Sequence, residues 1–207
     1  MFRFFESIML KDGQMPLINF HSERLNATME VHFEEFAKID LSKIITIPCD
    51  CKSGIYKVKV TYGRFIESIE FQEYELKPHR KVKIIEDNNI DYRYKSVERT
   101  SLNSFLIENP DFDDVIFIKN GLLTDASYSN IALFDGKNWF TPESCLLEGV
   151  KRRSLLESGK IKKKEIRVND LHDFSKIAFI NAMRDFEMTY NFQIENENMF
   201  LNLTQEK

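Results

Sequence analysis

Strand-like alternation of apolar and polar residues marks the first half of the chain. Segments 56–62 and 65–76 both alternate, and Gly63 and Arg64 lie between them. Successive side chains of a strand point to opposite faces, so such alternation favours strands with one buried face. The two segments are therefore predicted to form a β-hairpin.

Segment 2–10 is also strand-like, and the following turn, 11–14, contains an Asp-Gly step. Because Asp-Gly is typical of tight hairpin turns, segment 15–18 is predicted to be the second strand of an N-terminal hairpin. From residue 20 to residue 38 the apolar residues recur every three to four positions. This spacing predicts an amphipathic helix, near whose start Arg24 lies.

Beyond a polar segment at 86–92, the pattern changes to helices and strands in alternation. Helices are predicted at 96–108 and at 149–158, the second being ended by a glycine. Strands are predicted at 114–119, 129–134, 137–141 and 177–183. The sequence thus indicates a mixed α/β (α+β) fold with a smaller N-terminal lobe, 1–88, a larger C-terminal lobe, 89–207, and a hinge between them.

Composition excludes several classes of protein. The 207 residues are 43% hydrophobic and 30% charged, with a net charge of −4, which is the balance of a globular protein. An acidic chain is a poor nucleic-acid binder, so the basic stretch 77–81 is interpreted as a solvated turn. No run of about 18 apolar residues and no signal-peptide pattern is present, so no membrane association and a cytoplasmic location are expected.

The three cysteines, Cys49, Cys51 and Cys145, do not have the spacing of a disulfide framework. They are expected to be reduced thiols, as in a cytoplasmic protein. Cys49 and Cys51 resemble half of a metal site, but no second pair of Cys or His has matching spacing. No metal site is therefore expected.

The most specific pattern lies in residues 120–152. This segment contains Asn-Gly-Leu-Leu-Thr-Asp-Ala-Ser-Tyr-Ser-Asn-Ile, then Thr-Pro, then Leu-Leu-Glu-Gly-Val-Lys-Arg. Its order and spacing resemble the signature of class-IV aminotransferases, the fold-type IV enzymes that use pyridoxal 5′-phosphate (PLP). Three flanking segments are also similar to the family: His21–Leu25, Tyr94–Ser96 and Phe179–Arg184. The resemblance covers nearly the whole chain and indicates a shortened member of the family.

The resemblance implies that PLP is the cofactor and that Lys95 carries it. A lysine suits this role because its amine reacts with an aldehyde once desolvation lowers the pKa of the ammonium group. Asp125 stands where the family has Glu, and the resemblance assigns it to the pyridine nitrogen, which must stay protonated to withdraw electrons. Interpreted without the resemblance, Asp125 is a turn residue.

The resemblance also implies a phosphate site. Arg24 is its cationic group, and the backbone N–H groups of Val150 and Lys151 are a helix start, both of which favour anions. Asn181 is a further candidate on the phosphate side. Without the resemblance, Arg24 would be a surface arginine of a helix, and His21 is interpreted as a packing or capping residue.

Two reactions are compatible with the resemblance, both on a small amino-acid-like substrate. Segment 181–184 is more similar to aminodeoxychorismate lyases, which release pyruvate and 4-aminobenzoate from 4-amino-4-deoxychorismate, than to branched-chain aminotransferases. We therefore favour the lyase, a reaction of folate biosynthesis. The alternative is an aminotransferase of branched-chain or D-amino acids. A third hypothesis is a degenerate relative that binds PLP without catalysis. A homodimer is implied by the resemblance only.

Overall fold

A computed structural model gives the structure of residues 2–98, 100–195 and 199–205, with side chains described for all of these except 100–103. The fold is mixed α/β, as predicted. Within these residues no helix is both long and apolar enough to cross a membrane. No group of three or more His, Cys, Asp or Glu side chains in the same residues could hold a metal ion.

The contacts between Cα atoms divide the chain into two compact units. The first unit comprises Met1–Leu76 and Tyr94–Glu98, and the second comprises Lys77–Arg93 and Arg99–Lys207. The first unit thus includes a short later segment that contains Lys95. The predicted lobes and the hinge between them stay predictions.

The first unit is a three-stranded antiparallel sheet with a helix packed on it. The sheet has the strand order β1-β2-β3, and β2 pairs with both of its neighbours. The elements are β1 (Phe4–Lys11), α1 (Ile18–His32), α2 (Leu41–Ile44), a 3-10 helix (Cys49–Cys51), β2 (Ile55–Tyr62) and β3 (Ile66–Glu73). The predicted hairpin formed by β2 and β3 is confirmed.

Burial alternates strictly along β1, so every second side chain faces the core. The buried positions are Phe4, Glu6, Ile8 and Leu10. On the facing side of α1, Leu25 and Met29 are fully buried. Three of these four β1 positions are apolar, as the period of two requires, and the fourth places an acid inside the core of the first unit.

The predicted N-terminal hairpin is wrong in its second strand. The turn is present, with Asp12 and Gly13 at positive φ, but only Lys11 and Gln14 form a bridge across it. The chain then passes through Pro16 into α1, and the partner of β1 is β2. Proline lacks an N–H group for a strand ladder and is well tolerated where a helix starts, which explains the change of direction.

The second unit is built on a nine-stranded sheet with the order β6-β5-β4-β12-β11-β10-β7-β8-β9. The sheet curls, because its first strand, β6, also contacts β7. The elements are β4 (Lys81–Glu86), α3 (Thr100–Glu108), β5 (Asp114–Lys119), β6 (Leu122–Ala126), β7 (Asn130–Phe134), β8 (Trp139–Pro142), α4 (Val150–Glu157), β9 (Lys162–Lys164), a 3-10 helix (Val168–Asp173), β10 (Lys176–Ile180), β11 (Thr189–Glu195) and β12 (Phe200–Gln205).

Most predicted elements of the second unit are present, with changes at their ends. The predicted helix 96–108 begins at Thr100 instead, because Ser96 forms a bridge to Phe4 and Val97 N–H donates to Arg3 O. In the first unit, the predicted helix 20–38 is α1, which ends at its C-cap residue, Phe33. The strands β11 and β12 are additional elements of the sheet.

Candidate functional site

Lys95 lies in an extended segment beside β1. Phe5 N–H donates to Lys95 O at 2.9 Å, and Val97 N–H donates to Arg3 O at 3.0 Å. The Lys95 side chain is half-buried, and its Nζ atom lies 4.8 Å from the centroid of the Phe5 ring. These two backbone hydrogen bonds therefore fix the segment from which the Lys95 side chain extends.

Arg24 belongs to a buried cluster that also contains Glu6 and His21. Arg24 Nε donates to Glu6 Oε1 at 2.9 Å, and Arg24 Nη2 donates to Glu6 Oε2. His21 Nδ1 lies 2.6 Å from Glu6 Oε2. Because an isolated buried carboxylate is very costly, these two partners are what allow an acid at this core position of β1.

The charges of this cluster follow from its burial. Burial raises the pKa of Glu6, but the Arg24 charge and the hydrogen bond from His21 outweigh it and bring that pKa from 4.5 to about 2. Burial lowers the pKa of His21, and the charges of Arg24 and Lys95 lower it further, whereas Glu6 opposes the shift. At neutral pH, Glu6 is therefore ionised and His21 is neutral, with its proton on Nδ1 facing the carboxylate.

Asp125 lies at the end of β6 in the second unit and is buried. Its Oδ2 atom accepts hydrogen bonds from Leu146 N–H and Leu147 N–H, both at 2.9 Å. Its Oδ1 atom accepts one from Asn130 Nδ2 at 2.7 Å. A carboxylate accepts about four hydrogen bonds, so the bonds described here leave it capacity for one more donor.

The pKa of Asp125 is raised from 3.8 to about 6, chiefly by burial. The hydrogen bonds from Leu147, Asn130 and Leu146 and the charge of Arg152 oppose this shift. Asp125 is thus mostly ionised at neutral pH and carries a fixed negative charge in a water-poor environment. A cationic N–H group in contact with it would lower its pKa again.

Asn130 connects Asp125 to the start of α4. Its Nδ2 group donates both to Asp125 and, at 2.8 Å, to Leu147 O. A Cβ atom on Gly149 would overlap the Asn130 side chain. Gly149 has φ −69° and ψ 139°, a conformation open to any residue, so the glycine is required for space and not for backbone freedom.

Helix α4 begins at Val150, after an N-cap residue, Gly149, that has no side chain to cap the first turn. Arg153 N–H donates to Gly149 O at 2.9 Å. The N–H groups of Val150 and Lys151 precede this bond, so they have no acceptor within the helix. Such N–H groups bind anions, which fits the role predicted for these two residues.

Arg152 connects the Thr-Pro step at 141–142 with the start of α4. The Arg152 side chain is fully buried. It donates to Thr141 Oγ1 at 3.1 Å, to Pro142 O at 2.9 Å and to Glu148 Oε2 at 2.8 Å. Arg152 therefore joins β8 to α4, and the helix start is held in place by a buried guanidinium group.

Asn181 follows β10, whose last residue, Ile180, pairs with Asn130. Its Oδ1 atom accepts a hydrogen bond from Met183 N–H at 2.8 Å, and its Nδ2 group donates to Tyr128 O at 3.3 Å. The side chain thus shapes the turn that ends β10. Its predicted contact with phosphate stays a prediction.

The second unit therefore brings Asp125, Val150 and Asn181 around Asn130, and the first unit brings Arg24 and Lys95 around His21. Sequence reasoning did not single out Asn130, Gly149 or Glu6. A signal was present for all three, because Asn130 and Gly149 lie in segment 120–152 and Phe5-Glu6-Ser7 also resembles a family segment.

Gly149→Ala is expected to lower the free energy of unfolding by about 2 kcal/mol, because overpacking a filled site typically costs 1–3 kcal/mol. The added methyl group pushes against the Asn130 amide. Urea denaturation of the two single variants, Gly149→Ala and Asn130→Ala, and of the double variant measures the effect. In the Asn130→Ala background the alanine at 149 should cost less than 1 kcal/mol, and equal costs in both backgrounds would contradict the overlap.

The chain is similar to known proteins over most of its length. The family model for amino-transferase class IV matches residues 3–186. An uncharacterized protein of Haemophilus influenzae is 30% identical over 185 residues, which are 88% of this chain and 98% of that protein.

Solved structures are similar over most of the chain. A protein of Haemophilus somnus, provisionally named 4-amino-4-deoxychorismate lyase, is 31% identical with a TM-score of 0.82, covering 88% of this chain and 96% of that one. A protein of Mesorhizobium loti, provisionally named amino-acid aminotransferase, is 17% identical with a TM-score of 0.76, covering 100% of this chain and 99% of that one. The PLP-bound form of a hypothetical aminotransferase of Mycobacterium tuberculosis is 16% identical with a TM-score of 0.72, covering 87% of this chain and 78% of that one.

Proposed function

Because the chain belongs to the class IV aminotransferase family, we propose that it is a PLP-dependent lyase that converts 4-amino-4-deoxychorismate to 4-aminobenzoate and pyruvate. The observation that carries the choice of cofactor is the buried, largely ionised Asp125, held by three hydrogen-bond donors. A buried carboxylate with remaining acceptor capacity is suited to hold a proton on a pyridine nitrogen. The family match over residues 3–186 supports the same cofactor.

The first unit offers groups that fit the other two functional groups of PLP. Lys95 has a half-buried amine on a fixed backbone segment, which suits a covalent bond with an aldehyde. Arg24 has a partly exposed guanidinium group whose orientation is fixed by Glu6, which suits a phosphate oxygen. In our proposal both residues bind the cofactor.

The second unit offers the pyridine contact and further phosphate donors. Asp125 takes the ring nitrogen, and the N–H groups of Val150 and Lys151 take phosphate oxygens. Aspartate is one methylene shorter than the family glutamate, but its carboxylate is fixed by bonds from the 146–147 backbone. Asn181 is proposed as a further donor on the phosphate side.

When bound, PLP supplies an electron sink for the carbon that carries the substrate amino group. Lys95 would hold the cofactor through its Nζ amine, and the same amine would be the base for the proton of that carbon. Asp125 would keep the ring nitrogen protonated. Arg24 would be one donor to the phosphate, and the N–H groups at the start of α4 would be others.

The choice of the lyase rests on the Haemophilus somnus protein, which is named for that activity and matches over 88% of this chain and 96% of its own. The aminotransferase structures cited above are less than 25% identical and support the fold alone. The family model that matches the chain is nevertheless described as amino-transferase class IV. An aminotransferase of amino acids is therefore our second candidate. The homodimer and the cytoplasmic location stay predictions.

The reaction itself tests the proposal. The purified protein, loaded with PLP, is incubated with 4-amino-4-deoxychorismate and without any keto acid. A lyase needs no acceptor, because each turnover restores the starting form of the cofactor, so we expect many equivalents of 4-aminobenzoate and pyruvate per protein chain.

The competing reactions give different results in the same assay. An aminotransferase given an amino acid alone stops after one equivalent, and 2-oxoglutarate or pyruvate restores its absorbance. That result, with no 4-aminobenzoate from the first substrate, would favour the second candidate. PLP binding without either reaction would indicate a degenerate relative.

A further inference from the structure

We infer that Glu6, supported by His21, is a positioning residue that holds the Arg24 guanidinium group in the orientation required to bind the cofactor phosphate. The inference rests on the proposed function, because it concerns the same cofactor. It goes beyond that function by assigning a role to a residue that does not itself contact the phosphate.

The contact between Glu6 and Arg24 fixes the plane of the guanidinium group as well as its distance from the carboxylate. Both carboxylate oxygens are engaged, one by Arg24 Nε at 2.9 Å and the other by Arg24 Nη2. Paired bonds of this kind align the guanidinium plane with the carboxylate plane. The remaining N–H groups of Arg24 therefore lie in that plane, on the edges of the guanidinium group that Glu6 does not occupy.

His21 fixes the carboxylate in turn. His21 and Arg24 are three positions apart on α1, so both side chains lie on one face of the helix. From there they reach the same carboxylate on β1, His21 through Nδ1 at 2.6 Å from Oε2. With three bonds to it, the Glu6 carboxylate cannot rotate without losing one, and its orientation is passed on to Arg24.

Stability alone does not account for an acid at this place. Glu6 is fully buried on the core face of β1, between Phe4 and Ile8. Replacing a buried ion pair with apolar residues of similar size is often neutral or stabilising. An ion pair in the core is explained better by the need to orient Arg24 than by a contribution to folding.

The negative charge of Glu6 makes the inference easy to test, because two effects have opposite signs. If Glu6 positions Arg24, Glu6→Gln weakens phosphate binding, since a neutral amide cannot accept both hydrogen bonds. If Glu6 only adds negative charge near the phosphate, the same variant strengthens phosphate binding. The direction of the change therefore separates a positioning role from a purely electrostatic one.

The experiment compares the dissociation constants of PLP and pyridoxal, which differ only in the phosphate group. Binding is followed by absorbance on the purified full chain. Glu6→Gln should lower the preference for PLP over pyridoxal by roughly tenfold or more, the scale of one charge-assisted hydrogen bond. Pyridoxal affinity should stay within about twofold, which would show that the rest of the site is intact.

Glu67→Gln is the matched control. Glu67 also pairs with an arginine in the first unit, with Arg3 Nε donating to Glu67 Oε2 at 2.7 Å, but that pair is exposed. Exposed pairs contribute little, and this one has no assigned role. Its loss should leave the preference for PLP unchanged.

A double-variant cycle keeps the test decisive if Glu6→Gln does not fold. Glu6→Gln/Arg24→Gln removes both charges, so neither is left buried and unpaired. If Glu6 acts through Arg24, the double variant and Arg24→Gln should have the same preference for PLP. A difference between them would overturn the inference.

The two levels of the proposal fail in different ways. If the wild-type protein does not bind PLP at saturating concentration, the proposed function is wrong and the inference is wrong with it. If the wild-type protein prefers PLP to pyridoxal, but Glu6→Gln keeps or increases that preference, the inference is overturned and the proposed function stands.

Discussion

Lys95→Ala is expected to abolish the visible absorbance of the PLP-loaded protein and the covalent attachment of PLP on reduction with borohydride. The reason is that only an amine forms the bond with the cofactor aldehyde. The fold should persist, because Lys95 contributes to it through its backbone oxygen, which accepts from Phe5 N–H at 2.9 Å. Absorbance spectra and mass spectrometry of the reduced, digested protein measure the result.

Lys164→Ala is the matched control for this variant. Lys164 is also half-buried, and its Nζ atom lies 5.3 Å from the centroid of the Phe140 ring and 5.1 Å from that of Phe174. It shares the ring contact of Lys95 but has no assigned role in PLP binding. Attachment of PLP to Lys164, or to any lysine other than Lys95, would contradict the central assignment.

The sequence predicts strands well in two cases: where one face of the strand is buried, and where both faces are buried. Segment 114–119 is apolar between its first and last residues and agrees with β5 at both ends. The strand β5 pairs in parallel with β4, and parallel strands covered on both sides have continuous apolar runs. The hairpin of β2 and β3 was predictable for the opposite reason, since its alternation is regular.

The partner of β1 was not predictable, because pairing between distant segments leaves no local pattern. Residues 4–11 pair with 55–62, more than forty positions away. A local turn signal at Asp12 and Gly13 indicated the nearer segment instead. The Asp-Gly step does form a turn with positive φ, but a turn does not specify how long the strands beside it continue to pair.

The basic stretch 77–81 shows how tertiary contacts change an interpretation based on charge. His79 is buried, against the expectation of a solvated turn, with its ring 4.2 Å from that of Phe179 and its Nε2 atom 3.3 Å from Asp114 Oδ2. A histidine surrounded by lysine and arginine in sequence has no pattern that indicates burial. Its partners lie in other segments of the second unit, so only the fold identifies them.

The candidate site stays a prediction as a set of residues, made from the order and spacing of the motifs. What the sequence does not contain is how they are held: Asn130 bridges Asp125 and Leu147, and Glu6 orients Arg24. Each of these bonds joins positions in different elements, where spacing carries no information. The contacts of these polar side chains are therefore found from packing and not from the motif.

The ionisation of Asp125 has a consequence for the stability of the cofactor-free protein. Its pKa is about 6 when folded and near 3.9 when unfolded. Between these values the folded chain binds the proton more tightly, so this group stabilises the fold fully at low pH, and its contribution is lost as the pH rises through about 6. The loss is on the order of 3 kcal/mol, and a protonated pyridine nitrogen beside Asp125 would reduce it.

Asp125→Asn is expected to lower kcat by at least ~100-fold in the PLP-loaded protein, the effect of removing one preorganised electrostatic partner. The amide has nearly the same size and can still accept from Leu146 N–H and Leu147 N–H, so PLP should remain bound. It cannot hold a positive charge on the ring nitrogen.

Steady-state rates for this variant are compared with those of Asp114→Asn, which changes another buried aspartate of the second unit, one that accepts from Val115 N–H at 2.8 Å. Asp114 has no assigned role in PLP binding, so its variant should keep kcat within about threefold if the protein folds.

The cofactor-free Asp125→Asn protein should also lack the part of the pH dependence of stability that is assigned to Asp125. The melting temperatures of this variant and of the wild type, each at pH 4 and pH 7, measure that difference. A kcat for Asp125→Asn within about threefold of the wild-type value would mean that another group holds the ring nitrogen, and the assignment of Asp125 would be wrong.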